Sequence, residues 1–270
     1  MPDMRPSTLI LRSAGANCDL ETAFAFEQAG AAAERIHVNR LLENPAILDR
    51  FQIMAIPGGF SYGDDIAAGK ILAAQLARNL ADTIHRFVEA GKPIIGICNG
   101  FQVLVKTNIL PGPLAGRTGQ TCTLTNNDCG RLVDRWIRLA PRGNRCVWTR
   151  GISPIELPIA HGEGKFVPAD EDVRKALWEN DQIPLVYTAA DGSPAGGIFP
   201  DNPNGSVDDI AAVCDAGGTV FGLMPHPERY LDPTQHPAWT RRLPLPAEGD
   251  GLAIFRNGVA HALEAVGSGV

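Results

Sequence analysis

No run of apolar residues in this chain approaches the ~18 needed to cross a bilayer. The opening stretch MPDMRPSTLILRSAGA also lacks the apolar core of a signal peptide, so a cytoplasmic location is expected and a membrane partner is not. Cysteine is scarce: six in 270 residues, with no CxxC pair. That is too few and too scattered for a disulfide scaffold, and a reducing compartment would keep them as thiols. Cys122, Cys129 and Cys146 are spaced too widely for a compact zinc knuckle, and the six histidines do not cluster beside them, so no metal is expected. Positive charge is short as well. With 24 Lys+Arg against 30 Asp+Glu the net charge is −6, which offers no basic field to nucleic acid.

What the chain does have is enough apolar material, 44%, to fill a sizeable core. In the first half, strands and helices alternate. STLILR, AERIHV, FQIMAIP and KPIIGIC have the pattern of strands, DLETAFAFEQAGA that of a helix stopping at Gly30, and GKILAAQLARNLADTIHRFVEAG that of one long amphipathic helix. Such alternation predicts an α/β fold with a mostly parallel central sheet and helices on both faces. From Thr121 to Phe166 the texture becomes β-rich, in TCTLTNN, LVDRWIRLA, RCVWTR and IELPIAHGEGKF, which predicts an antiparallel extension of that sheet. A helix over 170–179, a strand at IPLVYT and two strands in DIAAVCDAGGTVFGLMP follow, the last two joined by the turn Asp215–Gly218. The segment 231–250 is Pro-rich and irregular, and 251–266 closes the chain as a helix. No repeat and no linker interrupts the pattern, so one domain over 1–270 is expected.

The informative stretch is GKPIIGICNGFQVL, where an apolar strand ends on Cys98 between Gly96 and Gly100. Ligand crevices of open α/β sheets lie at the carboxyl ends of the strands, and GxCxG between a strand and a helix follows the logic of a nucleophile elbow. The helix beginning at Asn99 directs its positive end at the sulfur and favours the thiolate. A thiolate needs a base, and the base an orienting acid. GLMPHPERY supplies His226 and Glu228 directly after another apolar strand. AIPGGFSYGDD supplies the remaining part, because Gly58 and Gly59 let backbone N–H groups approach a substrate oxyanion while Asn99 contributes a second N–H. The same loop cannot be a P-loop. Gly63 to Gly69-Lys70 is one residue too long, Ile71 stands where Ser or Thr is required, and Asp64 and Asp65 would repel phosphate, so neither ATP nor another cofactor is expected.

In order, PGGF, GICNGFQ and PHPE resemble the class I (triad) glutamine amidotransferases. Within that class GANCDLETAFAFEQAGA, PGGFSYGDDIAAGKILA, NNDCGRLVDRWIRL and IAHGEGKF are similar to the glutaminase subunits of phosphoribosylformylglycinamidine synthases, over about residues 8–230. The resemblance implies a flavodoxin-like sheet with Cys98 as nucleophile, His226 as base and Glu228 as its orienting acid. It also implies that Gly58, Gly59 and Phe60 form the oxyanion strand and that Gln102 contacts the α-amino or carboxylate group of L-glutamine. Ammonia would then pass to an ATP-dependent large subunit, helped by a small accessory subunit. Two other readings stay open from the residues alone: an elbow-cysteine hydrolase of the intracellular peptidase type, and a regulatory subunit that has kept the fold without the chemistry. His161 is expected to make a structural hydrogen bond. Cys18 resembles a nucleophile position only superficially, since it ends no strand and lacks the second glycine.

Overall fold

The computed structural model describes residues 5–267. The first half runs β1 (Ser7–Arg12), α1 (Asp19–Gln28), β2 (Ala32–His37), α2 (Val38–Glu43), β3 (Ile53–Ile56), α3 (Lys70–Asn79), α4 (Ala81–Glu89), β4 (Ile94–Ile97) and α5 (Asn99–Lys106). The second half runs β5 (Cys122–Thr125), β6 (Val133–Pro141), β7 (Ile155–His161), β8 (Lys165–Pro168), α6 (Glu171–Glu179), β9 (Leu185–Thr188), β10 (Ile210–Cys214), β11 (Val220–Leu223) and α7 (Leu252–Gly267).

Nine strands form one sheet in the order β2-β1-β3-β4-β11-β10-β9-β6-β7. The pairings from β2 to β11 are parallel, and those from β11 to β7 are antiparallel. The reason lies in the side chains: IMAI of β3, IIGI of β4 and VFGL of β11 are buried along their whole length, as strands covered on both faces must be. β7 instead alternates buried and half-buried residues, as a strand with one wetter face does. On one face α7 and α1 pack through Phe255 and Phe26, whose rings meet edge to face at 5.0 Å, with Trp148 at 6.3 Å from Phe26. Burying each such ring contributes roughly 1.5–3 kcal/mol.

Three expectations are corrected. The long helix over 69–91 is two helices, broken at Leu80, whose φ of −128° is not helical. Asn79 donates from its side-chain amide to the Gln75 carbonyl at 2.9 Å, a local bond that competes with the helical ladder, and Leu80 turns into the core. RCVWTR is not a strand but a 3-10 turn over Val147–Thr149. There the indole of Trp148 is fully buried and donates to the Thr219 carbonyl at 2.9 Å, so anchoring the ring takes precedence over extension. TCTLTNN does not extend the central sheet either: β5 pairs with β8 alone, as a separate two-stranded sheet.

Candidate active site

β3, β4 and β11 are adjacent and parallel, so their carboxyl ends open onto one edge. Three segments leave that edge: Pro57–Phe60 after β3, Cys98 after β4 and Met224–Glu228 after β11. Cys98 has φ +51° and ψ −105°, a conformation costly for any residue with a Cβ. It is held there by its N–H, which donates to the Leu223 carbonyl at 2.8 Å, and by the helix that starts at Asn99. Gly100 permits the elbow, since a Cβ at that position would lie 1.9 Å from the Ile56 carbonyl oxygen. The sequence pattern and the strained backbone meet at the same residue.

His226 Nδ1 and Glu228 Oε1 are 2.6 Å apart, both side chains sealed from solvent. The His226 N–H donates to the Pro158 carbonyl at 2.9 Å, which ties this loop to β7. Burial alone would push the His226 pKa down, but the Glu228 carboxylate and the neighbouring Cys98 and Cys18 thiols outweigh it, and the net shift is well upward. The imidazolium is therefore favoured. Gly58 is the point on which these groups converge. A Cβ there would lie 2.9 Å from His226 Cε1, 3.2 Å from Cys18 Sγ and 3.4 Å from Cys98 Cβ, so only glycine leaves the three side chains in place.

Beside them, a cavity of about 320 Å³ is lined by Gly59, Phe60, Cys98, Gln102, Arg131 and His161 among others. A larger hollow of about 660 Å³, between Arg138, Glu156, Asp191 and Arg242, lies by β6, β7 and β9 and has neither a cysteine nor a histidine in its lining. Chemistry rather than size locates the site. The backbone N–H groups of Gly59 and Asn99 have no acceptor among the described residues, whereas Phe60 spends its N–H on the Gly15 carbonyl at 2.9 Å. Phe60 lines the cavity as an exposed ring.

Gln102 also lines the cavity, but its amide is engaged within the protein. Its oxygen accepts from Asn99 Nδ2 at 3.0 Å and its nitrogen donates to the Glu163 carbonyl at 2.6 Å. Asn99 donates a second bond to Asp64 Oδ1 at 3.1 Å and accepts from the Ser61 hydroxyl at 2.6 Å, so one polar network joins the elbow, the Ser61–Asp64 loop and the β7–β8 turn. Burial raises the Asp64 pKa, opposed by the Gly69 N–H and Asn99. His161 pairs through Nδ1 with Asn127 Oδ1 at 3.2 Å, and burial, then the charge of His226, lowers its pKa to about 3. It is neutral at physiological pH.

Ser61 and Glu163 carry no role in the sequence reading, where Asp64 enters only as a charge that would repel phosphate and Cys18 only as a position that ends no strand. Cys18 is buried against His226, accepts a hydrogen bond from Arg229 at 3.2 Å, and has its own pKa raised by burial, against a smaller pull from His226. The available signal was its position in the loop after β1, the strand paired with β3, which brings that loop beside Gly58: the Cys18 N–H donates to the Gly58 carbonyl at 3.3 Å.

Residues 5–262 match the model of the CobB/CobQ-like glutamine amidotransferase domain. The phosphoribosylformylglycinamidine synthase subunit PurQ of Dehalococcoides mccartyi is 50% identical over 256 residues, covering 94% of this chain and 97% of that protein. The subunit of the same name from Methanococcus maripaludis strain S2 is 39% identical over 265 residues, covering 95% and 97%. Among solved structures, a chain in the structure of PurLQS from Thermotoga maritima aligns with a TM-score of 0.70 at 29% identity, covering 96% of this chain and 99% of that one. With this span and identity, the chain belongs to the CobB/CobQ-like glutamine amidotransferase family and, within it, to the PurQ subunits of phosphoribosylformylglycinamidine synthase.

Proposed function

We propose that the chain hydrolyses L-glutamine through a thioester on Cys98 and supplies the ammonia to phosphoribosylformylglycinamidine synthase in purine biosynthesis. The observation that carries this reading is the convergence at Gly58 of a strained elbow cysteine and a buried imidazole bonded to a carboxylate at 2.6 Å. His226 takes the Cys98 proton, and Glu228 holds the ring and stabilises its charge. The thiolate attacks the side-chain amide carbon, and the N–H groups of Gly59 and Asn99 receive the developing oxyanion. His226 returns the proton to the leaving nitrogen, ammonia departs, and water cleaves the thioester to give glutamate. Gly58 keeps the triad uncrowded, and Phe60 forms a wall of the glutamine pocket. Gln102 lines that pocket while its amide secures the Glu163 carbonyl.

The ammonia acceptor is made elsewhere, because this reading assigns neither ATP nor any cofactor or metal to the chain. Its partners are the ATP-dependent large subunit and a small accessory subunit, a reading supported by the PurLQS assembly that contains the matching Thermotoga maritima chain. The whole chain acts as one amidotransferase domain located in the cytoplasm; no helix among the described residues is long and apolar enough to cross a membrane. The test is Cys98→Ala in the reconstituted complex. Synthesis driven by glutamine is lost while synthesis driven by added ammonia survives; retained glutamine-driven synthesis would overturn the thioester.

A further inference from the structure

The cavity beside Cys98 is lined by three groups with a formal charge, Asp64, Arg131 and Glu163. His161 in the same lining is neutral, so Arg131 is the one cation there. Elsewhere in the chain Arg138 and Arg174 each hold a carboxylate at 2.7 Å. Arg131 does not: its backbone carbonyl accepts from Asn127 Nδ2 at 3.0 Å and from the Cys129 thiol at 3.5 Å, but its guanidinium makes no hydrogen bond or ion pair among the described residues. Glu163 also lacks a cationic partner. Its Oε2 accepts from the Ala68 N–H at 3.2 Å, and its Oε1 makes no hydrogen bond among the described residues. Asp64 is more heavily engaged, since its Oδ1 accepts from the Gly69 N–H and from Asn99 Nδ2, both at 3.1 Å. One buried residue holds Arg131 and Glu163 in relation to each other. Asn127 is 2% exposed; its Nδ2 donates to the Arg131 and His161 carbonyls at 3.0 and 2.8 Å, and its Oδ1 accepts from the Gly164 N–H at 3.0 Å and pairs with His161 Nδ1 at 3.2 Å. The loop bearing Arg131 is thereby fastened to the turn bearing Glu163 before any substrate arrives, as a recognition site requires.

We propose that Arg131 binds the α-carboxylate and Glu163 the α-ammonium group of L-glutamine, so that the site reads both charges of the free amino acid while the side-chain amide is presented to Cys98. A guanidinium offers a carboxylate two parallel N–H bonds, which fix direction as well as supply energy. Glu163 Oε1 is the acceptor left for the ammonium group, because the oxygen of the Gln102 amide is already bonded to Asn99 Nδ2 at 3.0 Å. Gln102 has a supporting part instead, its nitrogen holding the Glu163 carbonyl at 2.6 Å. A glutamine residue inside a peptide carries neither charge and would leave both groups facing the cavity unpaired, so it is rejected. This assignment rests on the glutaminase reading above.

The test compares three substrates in the reconstituted complex by ammonia release: L-glutamine, its α-amide, which lacks the carboxylate charge, and N-acetyl-L-glutamine, which lacks the ammonium charge. The wild type should prefer L-glutamine to either analogue by about tenfold or more in kcat/KM. Arg131→Gln is expected to abolish the preference over the α-amide and to keep the preference over the N-acetyl compound. Glu163→Gln, which retains an acceptor for the Ala68 N–H, is expected to do the reverse. A merely structural role would move both preferences together. Alkylation of Cys98 by iodoacetamide, which carries neither charge, should proceed in both variants at the wild-type rate and so show that the elbow is intact. Wild-type preferences in Arg131→Gln, or loss of both preferences together in each variant, would overturn the assignment. If the wild type releases no ammonia from L-glutamine, the glutaminase reading fails, and calorimetric titration of L-glutamine then decides the recognition. It stands if Arg131→Gln binds about tenfold more weakly than the wild type or worse, and falls if the two bind alike or the wild type does not bind.

Discussion

His226 Nδ1 and Glu228 Oε1 stand 2.6 Å apart with no solvent between them, so neither residue changes charge without the other responding. Glu228→Gln keeps the shape and removes the charge that holds the imidazolium. Glutaminase kcat/KM is expected to fall more than tenfold, on the order of 1.4 kcal/mol or more of transition-state stabilisation, in a protein with an unaltered circular dichroism spectrum. Wild-type kinetics in this variant would remove Glu228 from the mechanism and favour a hydrolase that takes its acid from an earlier strand.

The same pair leaves a mark on stability. The His226 pKa is raised on folding, so between its unfolded value of about 6.5 and its raised folded value the native state holds the extra proton. The pair's stabilisation is fully present below about pH 6.5 and is lost as pH rises through the folded pKa. Denaturant unfolding across this window should show the gap between wild type and Glu228→Gln narrowing with increasing pH. A gap that widens would contradict the assigned charge state.

At His161 the sign is opposite. Its folded pKa of about 3 lies below the unfolded value of about 6.5, so the unfolded chain takes up the proton first and stability falls as pH drops from 6.5 towards 3. His161→Gln should lose stability at pH 7.5, because the bond to Asn127 is disturbed, yet lose less than the wild type on going from pH 7.5 to pH 5. Parallel losses in the two proteins would show that His161 is protonated more readily than its burial implies.

Gly58→Ala tests the convergence itself. The added methyl would sit 2.9 Å from His226 Cε1, and that ring is pinned by Glu228 and cannot simply swing away. Overpacking of this kind costs about 1–3 kcal/mol, so the variant should still fold. Its glutaminase kcat is expected to drop more than tenfold, because the imidazole is displaced from Cys98. Unchanged turnover would mean that the His226 position is not critical.

The loop Ser61–Asp64 carries Tyr62 and Asp64 at φ +55° and +53°, a left-handed conformation costing roughly 1–2 kcal/mol per non-glycine residue, and it is bonded to Asn99 beside the proposed oxyanion N–H groups. A strained loop at this point can change conformation on docking. The isolated chain is expected to hydrolyse glutamine slowly and to accelerate when the synthetase subunit, nucleotide and acceptor are added. Equal kcat/KM in both conditions would make it a free-standing amidase.

The parts of this site legible in the sequence are those whose chemistry is local. Cys98 announces itself through an apolar strand, two glycines and a helix start within a few residues, and His226 and Glu228 are two apart after another strand. Cys18 was passed over because its contact with His226 spans the whole chain and exists only once β1 pairs with β3. The engaged state of the Gln102 amide was hidden for a similar reason, since its acceptor, the Glu163 carbonyl, belongs to a distant turn. In the fold, strand periodicity carried the parallel half. The break at Leu80 and the turn around Trp148 escaped it, because a side-chain bond to the Gln75 carbonyl and the burial of one indole overrode local pattern.

The most direct test of the central claim is covalent labelling with an electrophilic glutamine analogue, followed by peptide mapping of all six cysteines. The strained elbow at the start of α5 predicts stoichiometric label on Cys98 alone, protection by L-glutamine, and loss of glutaminase activity in step with labelling. Label found chiefly on Cys18 or Cys129, or full activity retained after Cys98 is modified, would contradict it.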